Sequence, residues 1–146
     1  MNRNIEIMAS LFSNERAITV RDCNRLINQM TDDVGNVRVA PKDLHELYLL
    51  TSKSKKFGSN EISPDVVTLN SKIVLSTESK RIRLVKIVLP HEIEEKGDIS
   101  VYSPLGIACL GSKEGDYVFV KSLDKEKQFL IEKIIFQPEK EKLFYL

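Results

Sequence analysis

Few side chains in this chain are placed to do chemistry. There are two histidines, His45 and His91, and two cysteines, Cys23 and Cys109. Neither histidine stands at the spacing of a metal-binding pair, and His45 reads as a polar surface residue beside a helix stripe. Both cysteines lie among apolar neighbours, where a thiol serves as small core filler and where the usage fits a reducing compartment. No nucleophilic triad is visible. Gly106 and Gly111 suit packing and capping, not a phosphate cradle. No aromatics alternate with basic residues, so a stacking platform for single strands is not expected. Two candidates remain: the adjacent carboxylates Asp32 and Asp33, and a corner at Ser103-Pro104-Leu105. The carboxylates fall at the negative end of a helix dipole, which is mildly unfavourable. Their plain role is to solvate a turn.

The corner is the most strongly specified stretch. Ile99–Tyr102 reads as a short strand. Ser103 can cap a helix and Pro104 fits its first position, where a missing N–H does no harm. About two turns of small and apolar residues follow, and Gly111 is placed to end them in a left-handed cap. A second turn stands at Glu114-Gly115-Asp116.

The remaining elements must hold these two candidates. Thr19 and Asp22 resemble a capping box, with Asp in place of Glu. Val20, Cys23, Leu26, Ile27, Met30 and Val34 then form one helical stripe. Gly35 stops that helix. A second helix opens near Pro41, with Leu44, Leu47, Tyr48 and Thr51 as its stripe, Lys53, Lys55 and Lys56 in its last turn and Gly58 at its end. The short connection predicts an antiparallel helical hairpin, a short coiled coil. Residues 5–12 stay open between a strand and an irregular arm. Beyond a turn-prone stretch at 59–64, the period changes to that of strands. These are Val66–Leu69, Ile73–Leu75, Arg81–Leu89, Asp98–Tyr102, Tyr117–Lys121 and Phe129–Gln137, with a hairpin turn at 123–126. In the third, Ile82, Leu84 and Lys86 face one side and Arg81, Arg83, Val85 and Ile87 the other. The expected class is α+β: residues 1–58 as arm and hairpin, residues 62–146 as an antiparallel sheet domain with one short helix.

Composition narrows the function. Hydrophobic residues make up 42% of the 146, charged residues 29%, and 22 basic side chains against 21 acidic leave a net charge of +1. That balance suits a globular protein and argues against a nonspecific nucleic-acid coat. No apolar run approaches the roughly 18 residues of a membrane span. No signal peptide is read at the N-terminus. A cytoplasmic monomer that touches no membrane is the expectation.

Ile99-Ser100-Val101, Ser103-Pro104, Ala108, Leu110-Gly111 and Gly115-Asp116, with Val66-Val67-Thr68-Leu69-Asn70-Ser71 upstream, resemble the C-terminal domain of the GreA/GreB transcript-cleavage factors. They resemble its shorter relative too, the regulator of nucleoside diphosphate kinase. The resemblance covers roughly residues 62–138. It implies an FKBP-like fold for that half and RNA polymerase as partner, met at the rim of its secondary channel through Ser103, Pro104 and Leu105. It implies that acidic residues at a hairpin tip help hold a catalytic magnesium ion, which wants hard oxygen ligands and supplies the nucleophile. Asp32-Asp33 would be a reduced form of that device. The family spaces its tip acids as Asp, two residues, then Glu; here the tip reads Thr31-Asp32-Asp33-Val34-Gly35-Asn36-Val37-Arg38. Helix one, at about 15 residues and roughly 22 Å, is shorter than the family's finger. Where the family carries Asn or Asp before Ser-Pro, this chain has Tyr102. Lys53, Lys55, Lys56, Lys80, Arg81 and Arg83 are candidates for a weak RNA contact. The expectation is a polymerase-binding elongation regulator with no cofactor, no catalytic residue, no metal site and no activity of its own. The alternatives are a true cleavage-stimulating factor and, from the implied fold alone, a peptidyl-prolyl isomerase, although fold does not carry function.

Overall fold

A computed structural model of the chain describes residues 15–122 and 124–146. The segment 5–12 lies outside them. The first described strand, β1 (Ala17–Thr19), runs straight into helix α1 (Val20–Asp33). Thr19 Oγ1 accepts the Asp22 N–H at 3.0 Å, so the cap forms as expected. The Asp22 carboxylate reaches further than a capping box requires, as described below. Cys23, Leu26 and Met30 are buried as the stripe predicts, but Val20, Ile27 and Val34 are exposed. The correction has a simple cause. Positions 20, 27 and 34 repeat every seven residues, on a line beside the 23–26–30 line, and only the latter meets the core.

Helix α2 (Pro41–Lys53) has Pro41 in its first turn and buries Leu47, Leu50 and Thr51. Tyr48, expected in its stripe, is exposed. Lys55 and Lys56 are not in the last turn: the helix ends at Ser54, and Lys55–Phe57 form strand β2, paired parallel with β1. Lys56 still complements the helix end. Its Nζ donates to the carbonyls of Thr51, Ser52 (3.2 Å) and Ser54 (2.7 Å). Gly58 opens a turn after β2, accepting from Glu61 N at 2.9 Å, and does not end the helix. Because β2 lies beside the strand that feeds α1, the hairpin returns to its own starting point.

Residues 66–69 are not a strand. Val66 makes one isolated bridge to Lys113. Val67 exchanges hydrogen bonds with Ser112 O and Gly111 N, both 2.8 Å. Five strands then build the main sheet: β3 (Lys72–Thr77), β4 (Ile82–Val88), β5 (Asp98–Ser100), β6 (Tyr117–Ser122) and β7 (Lys125–Phe136), in the order β5-β4-β3-β7-β6. It is mixed, not antiparallel throughout, because β5 pairs parallel with β4 after a crossover through a 3-10 turn at Pro90–Glu92. Ser122 already pairs with Lys125, so the turn is tighter and β7 longer than the sequence suggests. On β4, Val85 and Ile87 are buried while Ile82 and Leu84 face outward.

Helix α3 (Pro104–Cys109) closes the fold, and Gly111 follows it at φ +81°, in the left-handed region anticipated for it. The main core cluster runs through both halves, beside a small second one of Ala17, Ile62 and Val66. Leu26, Met30 and Leu47 of the hairpin pack in one cluster with Leu69, Ile73, Ile87, Leu110 and Ile131 of the sheet half, and Cys23 and Cys109 belong to it. The hairpin therefore lies along the sheet domain.

Candidate functional site

The corner is built around the capping hydroxyl of Ser103. Its Oγ accepts the Gly106 N–H at 3.0 Å and donates to Ser100 O at 2.7 Å. Both strand end and helix start are tied to one atom. Gly106 is required by close approach: a Cβ there would stand 2.3 Å from Ser100 O. The far end of α3 is held by Arg16, whose guanidinium donates to the carbonyls of Ile107 and, at 3.3 Å, Leu110. A cation at the C-terminal carbonyls complements the peptide dipoles. Of the three predicted contact residues, Pro104 is exposed and Ser103 half-buried. Leu105 is buried in the core. Its side chain belongs to the main core cluster and anchors the corner from below.

The hairpin tip comes to the same place. Tyr102 OH donates to Asp33 Oδ2 at 2.7 Å. Gln29 Nε2 donates to the same oxygen at 2.8 Å, and Asn36 Nδ2 to Oδ1 at 3.2 Å. The hydrogen bonds from Gln29, then Tyr102, hold the Asp33 carboxyl below the usual carboxylate range. Burial, then the Asp33 carboxylate, pushes the Tyr102 phenol well above its ordinary value. Asp32 is exposed. Asp33 thus meets three side-chain donors within the fold, and among the described residues no group of three His, Cys, Asp or Glu side chains is gathered.

A second tie stands at the hairpin base. The fully buried Asp22 accepts the Leu69 N–H at 3.0 Å and pairs with Arg25 at 2.5 Å. Burial raises its pKa against the pull of Arg25. The backbone it grips is the Thr68–Ser71 stretch. There Thr68 Oγ1 contacts Ser71 Oγ at 2.8 Å and donates to Glu139 at 2.6 Å. Asp22, Arg16 and Tyr102 were not visible as site residues from sequence. A signal existed only for Tyr102, which occupies the position before Ser-Pro where the resembling family has a short polar residue.

The six basic candidates are all exposed. They fall in two groups, Lys53, Lys55 and Lys56 at the hairpin base and Lys80, Arg81 and Arg83 at the β3–β4 turn. Lys55 Nζ sits 5.5 Å from the Phe57 ring centroid. His45 and His91 are exposed. No helix among the described residues is long and apolar enough to cross a membrane.

Residues 62–136, just over half of the chain, match the family described as "Transcription elongation factor, GreA/GreB, C-term". Transcription elongation factor GreA of Rhodospirillum rubrum is 36% identical over 81 residues, which are 54% of this chain and 52% of that protein. The match thus spans about half the length of that curated relative. Among solved structures, the GreA/GreB elongation factor from Nitrosomonas europaea superposes with a TM-score of 0.70 at 22% identity, over 84% of this chain and all of that one. That likeness speaks for the fold alone. Gfh1 of Thermus thermophilus aligns over 84% of this chain and 99% of its own, at 18% identity with a TM-score of 0.44, too loosely to carry an argument.

Proposed function

The chain belongs to the GreA/GreB transcription elongation factor family, and from that premise we propose that it is an RNA-polymerase-binding regulator of elongation that does not stimulate transcript cleavage. It docks at the rim of the secondary channel through the corner at Ser103-Pro104, with Pro104 as the exposed contact, and competes there with other channel factors. In this role it resembles the short relative, the regulator of nucleoside diphosphate kinase. It is not itself an enzyme.

One observation carries this reading: the hairpin is short and committed. Helix α1 has 14 residues, about 21 Å at 1.5 Å per residue. Its tip carboxylate, Asp33, is engaged by three donors, one of them from the sheet domain. A tip held against its own domain is poorly suited to enter a channel and share a metal ion with the polymerase. The test uses purified bacterial polymerase, stalled and backtracked. The expected result is binding that displaces a cleavage factor, with no shortening of the RNA. Absence of binding overturns the proposal. RNA shortening that disappears in Asp32→Ala/Asp33→Ala replaces it with the cleavage reading.

A further inference from the structure

We propose that the hydrogen bond from Tyr102 to Asp33 is a positioning tie, which pins the hairpin tip to the Ser103 corner so that a polymerase meets the two as one rigid surface. The use of that surface rests on the docking reading above; the tie itself does not. Residues 33 and 102 are 69 positions apart, and this 2.7 Å contact joins the last residue of α1 to the residue that precedes the Ser103 cap. Tyr102 is buried, so its ring is already fixed by the core and its hydroxyl is aimed without further loss of side-chain freedom. The middle of the tip turn is open to solvent, with Val39 returning to the core. Val34 and Val37 are 71% and 99% exposed, and the turn is closed by Asn36 N to Asp33 O (2.9 Å), Val39 N to Asn36 O (3.1 Å) and the Asn36 side chain. The base is secured separately by Asp22 on Leu69 N. The hairpin is thus held at both ends, and at the tip the Tyr102 phenol adds a hydrogen bond from the sheet half to the apolar packing of Met30 and Val39 on the core.

Amide exchange in the free protein tests the tie. In Tyr102→Phe, amides 31–39 should exchange about tenfold faster, as expected for losing a hydrogen bond to a charged acceptor, while amides 72–77 of β3 keep their rates. Asp33→Asn retains an acceptor and should fall between wild type and Tyr102→Phe. Unchanged tip exchange in Tyr102→Phe overturns the tie, as does equal acceleration at 72–77, which would signal only a less stable protein. In the polymerase arm, Tyr102→Phe should bind more weakly than wild type although Ser103 and Pro104 are intact. Undiminished binding by a variant with a loosened tip overturns the shared surface. Wild-type protein that binds no polymerase removes the docking reading instead, and the exchange arm then decides the tie by itself.

Discussion

The Ser103 corner and the hairpin tip lie side by side, yet they are constructed in opposite ways. At the corner, Leu105 to Ser112 are all buried, Ser103 Oγ makes two hydrogen bonds and Arg16 closes the helix end. Each residue is constrained by several neighbours. At the tip, residues 34–38 are exposed and Gly35 has open space around it. Its position depends on a few polar contacts to Asp33. The corner is suited to presenting one fixed shape, whereas the tip takes its place from the corner. The family match covers the over-determined region and stops short of the hairpin. That is the order in which substitutions would be tolerated.

The widest test asks whether the two regions share one folding unit. Leu26 of α1 is fully buried in the common core. Leu26→Ala should cost about 2–5 kcal/mol, and melting followed by helix signal and by tyrosine fluorescence should stay coincident. If the hairpin melts earlier while the sheet half is untouched, the comparison is between two independent parts and fails as drawn. Next in size is Gly106→Ala. The added Cβ would meet a backbone carbonyl at 2.3 Å, and the strand end carrying it cannot yield without moving β5. A loss of about 3 kcal/mol is expected in denaturant unfolding. A variant as stable as wild type would show that the corner adapts more readily than its packing implies.

Local chemistry explains what could be read in advance. The Thr19 and Ser103 caps, Pro41 and Pro104 in first turns and Gly111 after α3 each act within four residues, so sequence spacing suffices. Strands β3, β4 and β6 carry clear alternation or apolar runs. The errors share a different origin. Val66-Val67-Thr68-Leu69 is entirely buried, and an apolar run of four looks the same whether it pairs in a ladder or lies against the loop at 111–114. Strands β1 and β2 are three residues each and pair across 38 positions; nothing local marks them, so Lys55 and Lys56 pass for a helical turn. The parallel β4–β5 pair follows a connection of nine residues, where short links ordinarily imply antiparallel neighbours. The site divides in the same way. The Ser103 cap and Pro104 in the first turn are legible because capping is local, while the burial of Leu105 is tertiary and has no local mark. Tyr102–Asp33 and Asp22–Leu69 join distant residues, and no single-sequence pattern encodes them.

Gly35→Ala sharpens the comparison from the other side. Gly35 lies at φ +83° with nothing within 4 Å of an added Cβ, so only the left-handed backbone is penalised. The cost should be about 1 kcal/mol, well below that of Gly106→Ala. Equal losses at the two glycines would mean that the tip is as constrained as the corner.

The smallest expected effect is a pH dependence at the tip. The Asp33 carboxyl is held below its ordinary pKa, first by Gln29 and then by Tyr102. A carboxyl lowered in the folded state binds its proton less readily there than in the unfolded chain. Its contribution is therefore complete above the ordinary carboxylate range and is lost as pH falls through the lowered value. The stability difference between wild type and Asp33→Asn should hold constant from neutral pH down to the ordinary carboxylate range and shrink only below it. The two competing terms keep it small. Two side-chain donors and a phenol favour the ionised form, whereas the C-terminal end of α1 disfavours any negative charge. Solvent near a half-buried site weakens both, so the difference at neutral pH should stay under about 1 kcal/mol. A difference independent of pH would mean that the three donors serve the neutral acid as well as the anion. Tyr102 would then hold the tip by shape, and the contrast between a rigid corner and an electrostatically held tip would lose its basis.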